Sequence, residues 1–186
     1  MATTKTKVTL DELNRRLIVL ERAKLDGGLG LTERYYPIEY EGAILTDLGS
    51  VSTAGTFTTH YDTVNNLNSL QWISSNANLQ DYSISVQFII PSNFVNWDTN
   101  AFRLYIRTGT TSSSNNKIKL NILKNGTSIK SADNLTSPSS TSWYSVNITA
   151  TQLGNWSIND RMTIQITMYS KLSNPAQISE MKLDWK

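Results

Sequence analysis

His60 is the one histidine of this 186-residue chain, and cysteine is absent. A Ser-His-Asp arrangement would have to use His60, while thiolate nucleophiles, disulfides and sulfur-ligated metals drop out together. His60 stands in Thr59-His60-Tyr61-Asp62, at a strand end by its pattern, and no Gly-x-Ser-x-Gly elbow occurs. Glycoside hydrolysis needs two carboxylates facing one bond. Glu39, Glu41, Asp47, Asp62, Asp81, Asp98, Asp133, Asp160, Glu180 and Asp184 are scattered, mostly at turns, and no spacing pairs any two. The expectation is a protein that is not an enzyme.

Two Asp/Asn-rich stretches, residues 93–100 and 155–160, hold oxygens that calcium would accept, yet neither has EF-hand spacing. They read as turns, so no cofactor is expected. The tryptophans speak more clearly. Trp97 beside Asp98, and Trp156 beside Asn155, lie in loop-like sequence where a flat ring and hydrogen-bonding groups adjoin. That pairing suits a ligand presenting both C–H and O–H groups, which makes Trp97, Asp98, Asn155 and Trp156 the candidate glycan-binding residues. The competing expectation is that both rings fold back to close the end of a β-sandwich. Trp72, Trp143 and Trp185 fall inside strand patterns and read as core or sheet-face residues.

The elements that would position these residues are strands. From Tyr35 onward apolar residues alternate with polar ones, and the pattern predicts strands at 35–40, 56–61, 70–74, 82–90, 102–108, 117–123, 127–131, 143–149, 162–169 and 178–185. Ile84, Val86, Phe88 and Ile90 share one side, as do Ile118, Leu120 and Ile122, and Ile164, Ile166 and Met168. Sheets buried on one face read this way. Asn125-Gly126 marks a type I′ hairpin. The expected fold is mainly β, a two-sheet antiparallel sandwich or jelly roll.

The first thirty residues differ. Thr9 and Glu12 form a capping box, Val8 and Leu13 a hydrophobic staple, and Gly27-Gly28 a stop, predicting one short α-helix over residues 10–25. Leu10, Leu13, Leu17 and Leu20 recur at 3-4-3 spacing, the a/d seam of a coiled coil. Ile18, Val19 and Leu25 widen the stripe beyond a two-helix seam, so these leucines are the expected oligomerisation contacts of a homotrimer. The alternative is that the helix packs on its own β-domain. Residues 1–31 thus read as arm and docking helix, and 32–186 as the sandwich.

Composition narrows the partners. Ser, Thr and Asn supply 62 residues, which suits solvent-facing strand positions and turns. The same bias accounts for four Asn-x-Ser/Thr sequons, at Asn125, Asn134, Asn147 and Asn155. Net charge is +2 with basic residues dispersed, so the footprint of a nucleic-acid binder is missing. No apolar run reaches the roughly 18 residues of a membrane span, and the start lacks a signal-peptide core.

The run from Tyr82 to Lys186 contains Tyr-Ser-Ile-Ser-Val-Gln-Phe, Phe-Arg-Leu-Tyr-Ile-Arg, Lys-Asn-Gly, Trp-Tyr-Ser-Val-Asn-Ile, Met-Thr-Ile-Gln-Ile and Ile-Ser-Glu-Met-Lys-Leu-Asp-Trp. In this order it resembles the second half of carbohydrate-binding-module or galactose-binding-like jelly rolls. Such modules often carry a structural calcium. A short helix feeding a sandwich is similar in layout to tail-fibre, receptor-binding and capsid-decoration proteins of tailed viruses, commonly trimeric. That likeness implies a non-enzymatic structural protein on the virion surface, contacting other virion proteins and binding host surface glycans by avidity. The alternatives are a stand-alone carbohydrate-binding module and a polysaccharide-active enzyme.

Overall fold

The computed structural model describes residues 31–35 and 54–186. The helix expected over 10–25, its seam of Leu10, Leu13, Leu17 and Leu20, and all but the first residue of the strand expected at 35–40 lie outside the described residues. Ten strands and one helical turn are described: β1 Leu31–Tyr35, β2 Thr56–Asp62, β3 Leu67–Ile73, β4 Gln80–Ile89, β5 Trp97–Thr108, β6 Asn116–Lys124, β7 Thr127–Leu135, β8 Tyr144–Ile148, α1 Ala150–Leu153, β9 Arg161–Ser170 and β10 Ala176–Trp185.

They form two antiparallel sheets. The first runs β2-β3-β10-β5-β8 with β1 also on β10, and the second runs β4-β9-β6-β7. The chain crosses repeatedly between the two, giving the expected sandwich of jelly-roll type.

Alternation builds the core. Ile84, Ile166 and Leu120 stand in one cross-strand row of the second sheet, and Val86, Ile164 and Ile122 in another. All six are buried, against Phe102, Leu104, Ile106, Met181 and Leu183 of the first sheet. Each such side chain contributes about 1.5–3 kcal/mol on leaving water. The turn at Asn125-Gly126 has φ of 50° and 87°, the two positive values a type I′ hairpin requires.

Beyond the unexpected turn α1 and a β7 four residues longer than expected, two differences bear on the candidate residues and the sheet edge. A strand begins at Leu31, pairing through Tyr35 with the far half of β10, where the first strand was expected to start at Tyr35. Trp97 opens β5 rather than lying in a loop, with Trp185 as its cross-strand partner. A five-residue step on β5, from Trp97 to Phe102, faces the two-residue step from Leu183 to Trp185. The polar run Asp98-Thr99-Asn100 is thus a bulge on a strand, and its composition masks the strand around it.

One edge of β10 is divided. Ala176–Ile178 pairs with β3, while Met181 onward pairs with β1. Near the tip of the β2–β3 hairpin, where β3 no longer pairs with β10, a side chain bonds its backbone instead. Ser179 Oγ donates to the Asn68 carbonyl at 2.6 Å.

Candidate functional site

Trp97 and Trp156 are brought together, but inside the molecule. They are 4% and 9% exposed, and their rings meet edge-on at 5.9 Å. Phe94 packs edge-on against Trp97 at 4.9 Å. Lys124 Nζ sits 5.5 Å from the Trp156 ring centre, and the Trp156 indole donates to the Leu153 carbonyl at 3.0 Å. The two rings close the end of the sandwich and offer no open stacking face. Their sequence neighbours point elsewhere. Asp98 lies 3.5 Å from Lys186 Nζ, and exposed Asn155 accepts from Lys124 through its backbone carbonyl at 2.8 Å. The four residues expected to form one glycan site do not present a common surface.

His60 fares similarly. Ser69 Oγ donates to the His60 carbonyl rather than to its ring, and the ring Nδ1 is buried without a partner. Asp62 is fully occupied. Its Oδ1 accepts from the amides of Val64 and Asn65, at 2.9 and 3.1 Å. Its Oδ2 accepts from Asn65 Nδ2, Arg107 Nη1 and the Trp143 indole, at 2.9, 2.6 and 2.8 Å. Burial works to raise this carboxyl, but the hydrogen bonds from Asn65, Trp143 and Val64 outweigh it and hold it well below the usual carboxylate range. Arg107 continues through Gln177 to Gln71, at 2.6 and 2.8 Å. The network ties the hairpin tip down over the first sheet.

The second sheet carries a groove. On its outer face, Asp81, Tyr169 and Lys117 form one registered row, Ser83, Thr167 and Lys119 the next, and Ser85, Gln165 and Asn121 a third. Asp81, Ser83, Lys119, Asn121, Gln165, Thr167 and Tyr169 line a shallow groove of about 220 Å³. Its floor is internally bonded: Ser83 and Thr167 hydroxyls lie 2.9 Å apart, and Asn121 Nδ2 donates to Gln165 Oε1 at 3.1 Å. Lys119 pairs with Asp133 at 3.3 Å, and Lys117 Nζ lies 5.1 Å from the Tyr169 ring centre. Burial, then the charges of Asp81 and Asp133, raise the Tyr169 hydroxyl above its ordinary pKa, so it stays a neutral donor. Among the described residues, no group of three or more His, Cys, Asp or Glu side chains could hold a metal ion.

Sequence reasoning missed this groove. Each member reads alone as the solvent-side residue of an alternating strand, and only the order β4-β9-β6 makes neighbours of them.

No protein-family model matches the chain, and no curated protein does. Solved structures do. A family 35 carbohydrate-binding module from Clostridium thermocellum aligns with TM-score 0.49 and 16% identity, over 82% of this chain and 96% of that one. TmCBM61 in complex with β-1,4-galactotriose aligns with TM-score 0.48 and 9% identity, over 83% and 88%. CBM27-1 of Caldicellulosiruptor saccharolyticus, in complex with mannohexaose, gives TM-score 0.41 and 7% identity, over 81% and 96%. Nothing in these comparisons connects the chain to a virus particle. The sandwich is defined by its own strand order and register.

Proposed function

We propose that this sandwich is a carbohydrate-binding module that holds a glycan chain in the groove of its second sheet, without turnover. The observation that carries the reading is that three registered polar rows on the outer face of the second sheet meet at one groove. They offer amides at Asn121 and Gln165 and one aromatic ring at Tyr169, with the Asp81 carboxylate and the Lys119–Asp133 pair beside them. A pyranose presents hydroxyls that donate and accept together, beside patches of C–H, and this mixture matches it.

Two further points support the reading. Asp81 is the one carboxylate among the described residues lining the groove, where retaining and inverting hydrolysis each use two. The groove is also smaller than the roughly 300 Å³ at which enclosing ligand pockets begin. A site of that kind grips part of a longer chain weakly, and several copies would gain from avidity.

The test is affinity electrophoresis of the full chain through gels containing soluble neutral polysaccharides, followed by titration calorimetry on any that retard it. Retardation that disappears in Asp81→Ala and Tyr169→Ala supports the reading. Free migration through every polysaccharide sinks it.

A further inference from the structure

The groove floor contains a directed chain of hydrogen bonds. Ser128 Oγ on β7 donates to Asn121 Oδ1 at 2.6 Å, and Asn121 Nδ2 donates to Gln165 Oε1 at 3.1 Å. The hydroxyl starts the relay because Asn121 Oδ1 can only accept. The amide then has only its NH2 left to give, and it gives one hydrogen to Gln165. This fixes which end of the Gln165 amide is consumed. The carbonyl is taken and the NH2 is left over, with no partner among the described residues, on β9 at the centre of the sheet.

The lysines of the two neighbouring rows are already engaged. Lys119 pairs with Asp133 and Lys117 donates to Asn134 Oδ1 at 2.9 Å while lying over Tyr169. Asp81 stands in the same lining. A uronate or sulfate would find both lysines occupied. A hydroxyl, ring or glycosidic oxygen would find an oriented neutral donor.

We propose that Gln165 is the specificity-determining residue of this groove, its NH2 held as a donor by the Ser128–Asn121 relay, and that it selects neutral glycans over acidic ones. This rests on the groove being a glycan site. Gln165 is a direct contact, while Ser128 is a positioning residue outside the lining.

The experiment compares wild type, Gln165→Glu and Ser128→Ala, all as the full chain, against the neutral polysaccharide that retards wild type most and against polygalacturonate. Gln165→Glu keeps the shape and loses the donor, and it should weaken neutral-glycan binding about tenfold, the upper end for one hydrogen bond. Ser128→Ala frees the relay to reverse and should weaken binding about threefold. Thermal midpoints should be unchanged in both. In wild type, the Gln165 side-chain NH2 resonances should shift on adding the neutral glycan. Gln165→Glu binding within twofold of wild type overturns the assignment and leaves the glycan reading standing. Tighter binding of polygalacturonate than of any neutral chain also overturns the assignment alone. Wild type bound by no glycan overturns both.

Discussion

Asp62 on β2 and Trp143 just before β8 share a 2.8 Å hydrogen bond although three strands separate them in the sheet order. β3 pairs with β10 only over Ala176–Ile178 and β1 takes β10 from Met181 onward, while Asp62 at the end of β2 reaches across to Trp143. Arg107 Nη1 meets the same carboxylate oxygen at 2.6 Å, and its guanidinium carbon lies 5.3 Å from the Trp143 ring centre.

Removing the carboxylate should be costly. The Asp62 side chain is 3% exposed and that of Arg107 18%, so Asp62→Ala strands a largely buried cation and an indole N–H. We expect a loss of about 3 kcal/mol or more in urea unfolding, the penalty for deleting one partner of a buried pair. Because the groove lies on the other sheet, glycan retardation of the folded fraction should stay as in wild type.

Acid should reveal the same groups. Asp62 is held well below the usual carboxylate range, and Asp160 is lowered to about 2, first by the Ser157 amide, then by Lys124 and Asn125. A depressed folded pKa stabilises above the unfolded value, about 3.9, and that contribution is lost as pH falls through the folded value. Stability measured by urea unfolding should be flat near neutrality and fall from about pH 4.5 toward about 2. Asp160→Asn should flatten part of that slope.

The hairpin turn gives a cleaner backbone test. A Cβ on Gly126 would meet nothing within 4 Å, so Gly126→Ala is penalised through its φ of 87° alone. The expected cost is about 1 kcal/mol. Asn125 additionally donates to Asp160 Oδ1 at 2.7 Å and accepts from the Arg161 amide at 2.8 Å. Asn125→Ala should therefore cost more, about 2 kcal/mol, by thermal or urea unfolding.

These contrasts show what was legible in the chain. The periodicity of Ile84, Val86 and Phe88, or of Ile164, Ile166 and Met168, is local, and it located the strands and the buried face. The Asn125-Gly126 turn was equally local. Trp97 was misplaced because Asn96 and Asp98-Thr99-Asn100 around it are turn residues, and a bulge has the composition of a loop. Asp62 read as a strand end because its partners Arg107 and Trp143 depend on how β1 and β3 divide one edge of β10. Asp81, Lys119 and Gln165 carry no mutual spacing at all, and strand order alone assembles them.

Assembly is a separate expectation, resting on Leu10, Leu13, Leu17 and Leu20. A seam of two heptads is too short to hold alone, so it should act together with the rest of the chain. Light scattering of the full chain should give a trimer mass, and a chain starting at Gly27, which keeps β1 whole, should give a monomer. A monomer in both would remove the seam from assembly, and a trimer in both would move assembly into the sandwich.

The last prediction separates the two aromatic settings. Trp97 is 4% exposed, ringed by Phe94 and Trp156, and its indole N–H has no partner. Tyr169 is half-buried on the outer face of the second sheet and lines the groove. Trp97→Ala empties part of the core and should cost about 3–5 kcal/mol of stability. Trp97→Phe keeps a ring and removes an unsatisfied donor, so its cost should be about 1 kcal/mol. If glycans bind in the groove, Trp97→Phe should bind within about twofold of wild type, while Tyr169→Ala should bind about tenfold more weakly, a difference of 1.4 kcal/mol. Calorimetric titration of both variants with the same neutral polysaccharide decides the matter. A loss confined to Trp97→Phe would move the binding site to the end of the sandwich, where the residues flanking Trp97 and Trp156 first drew attention.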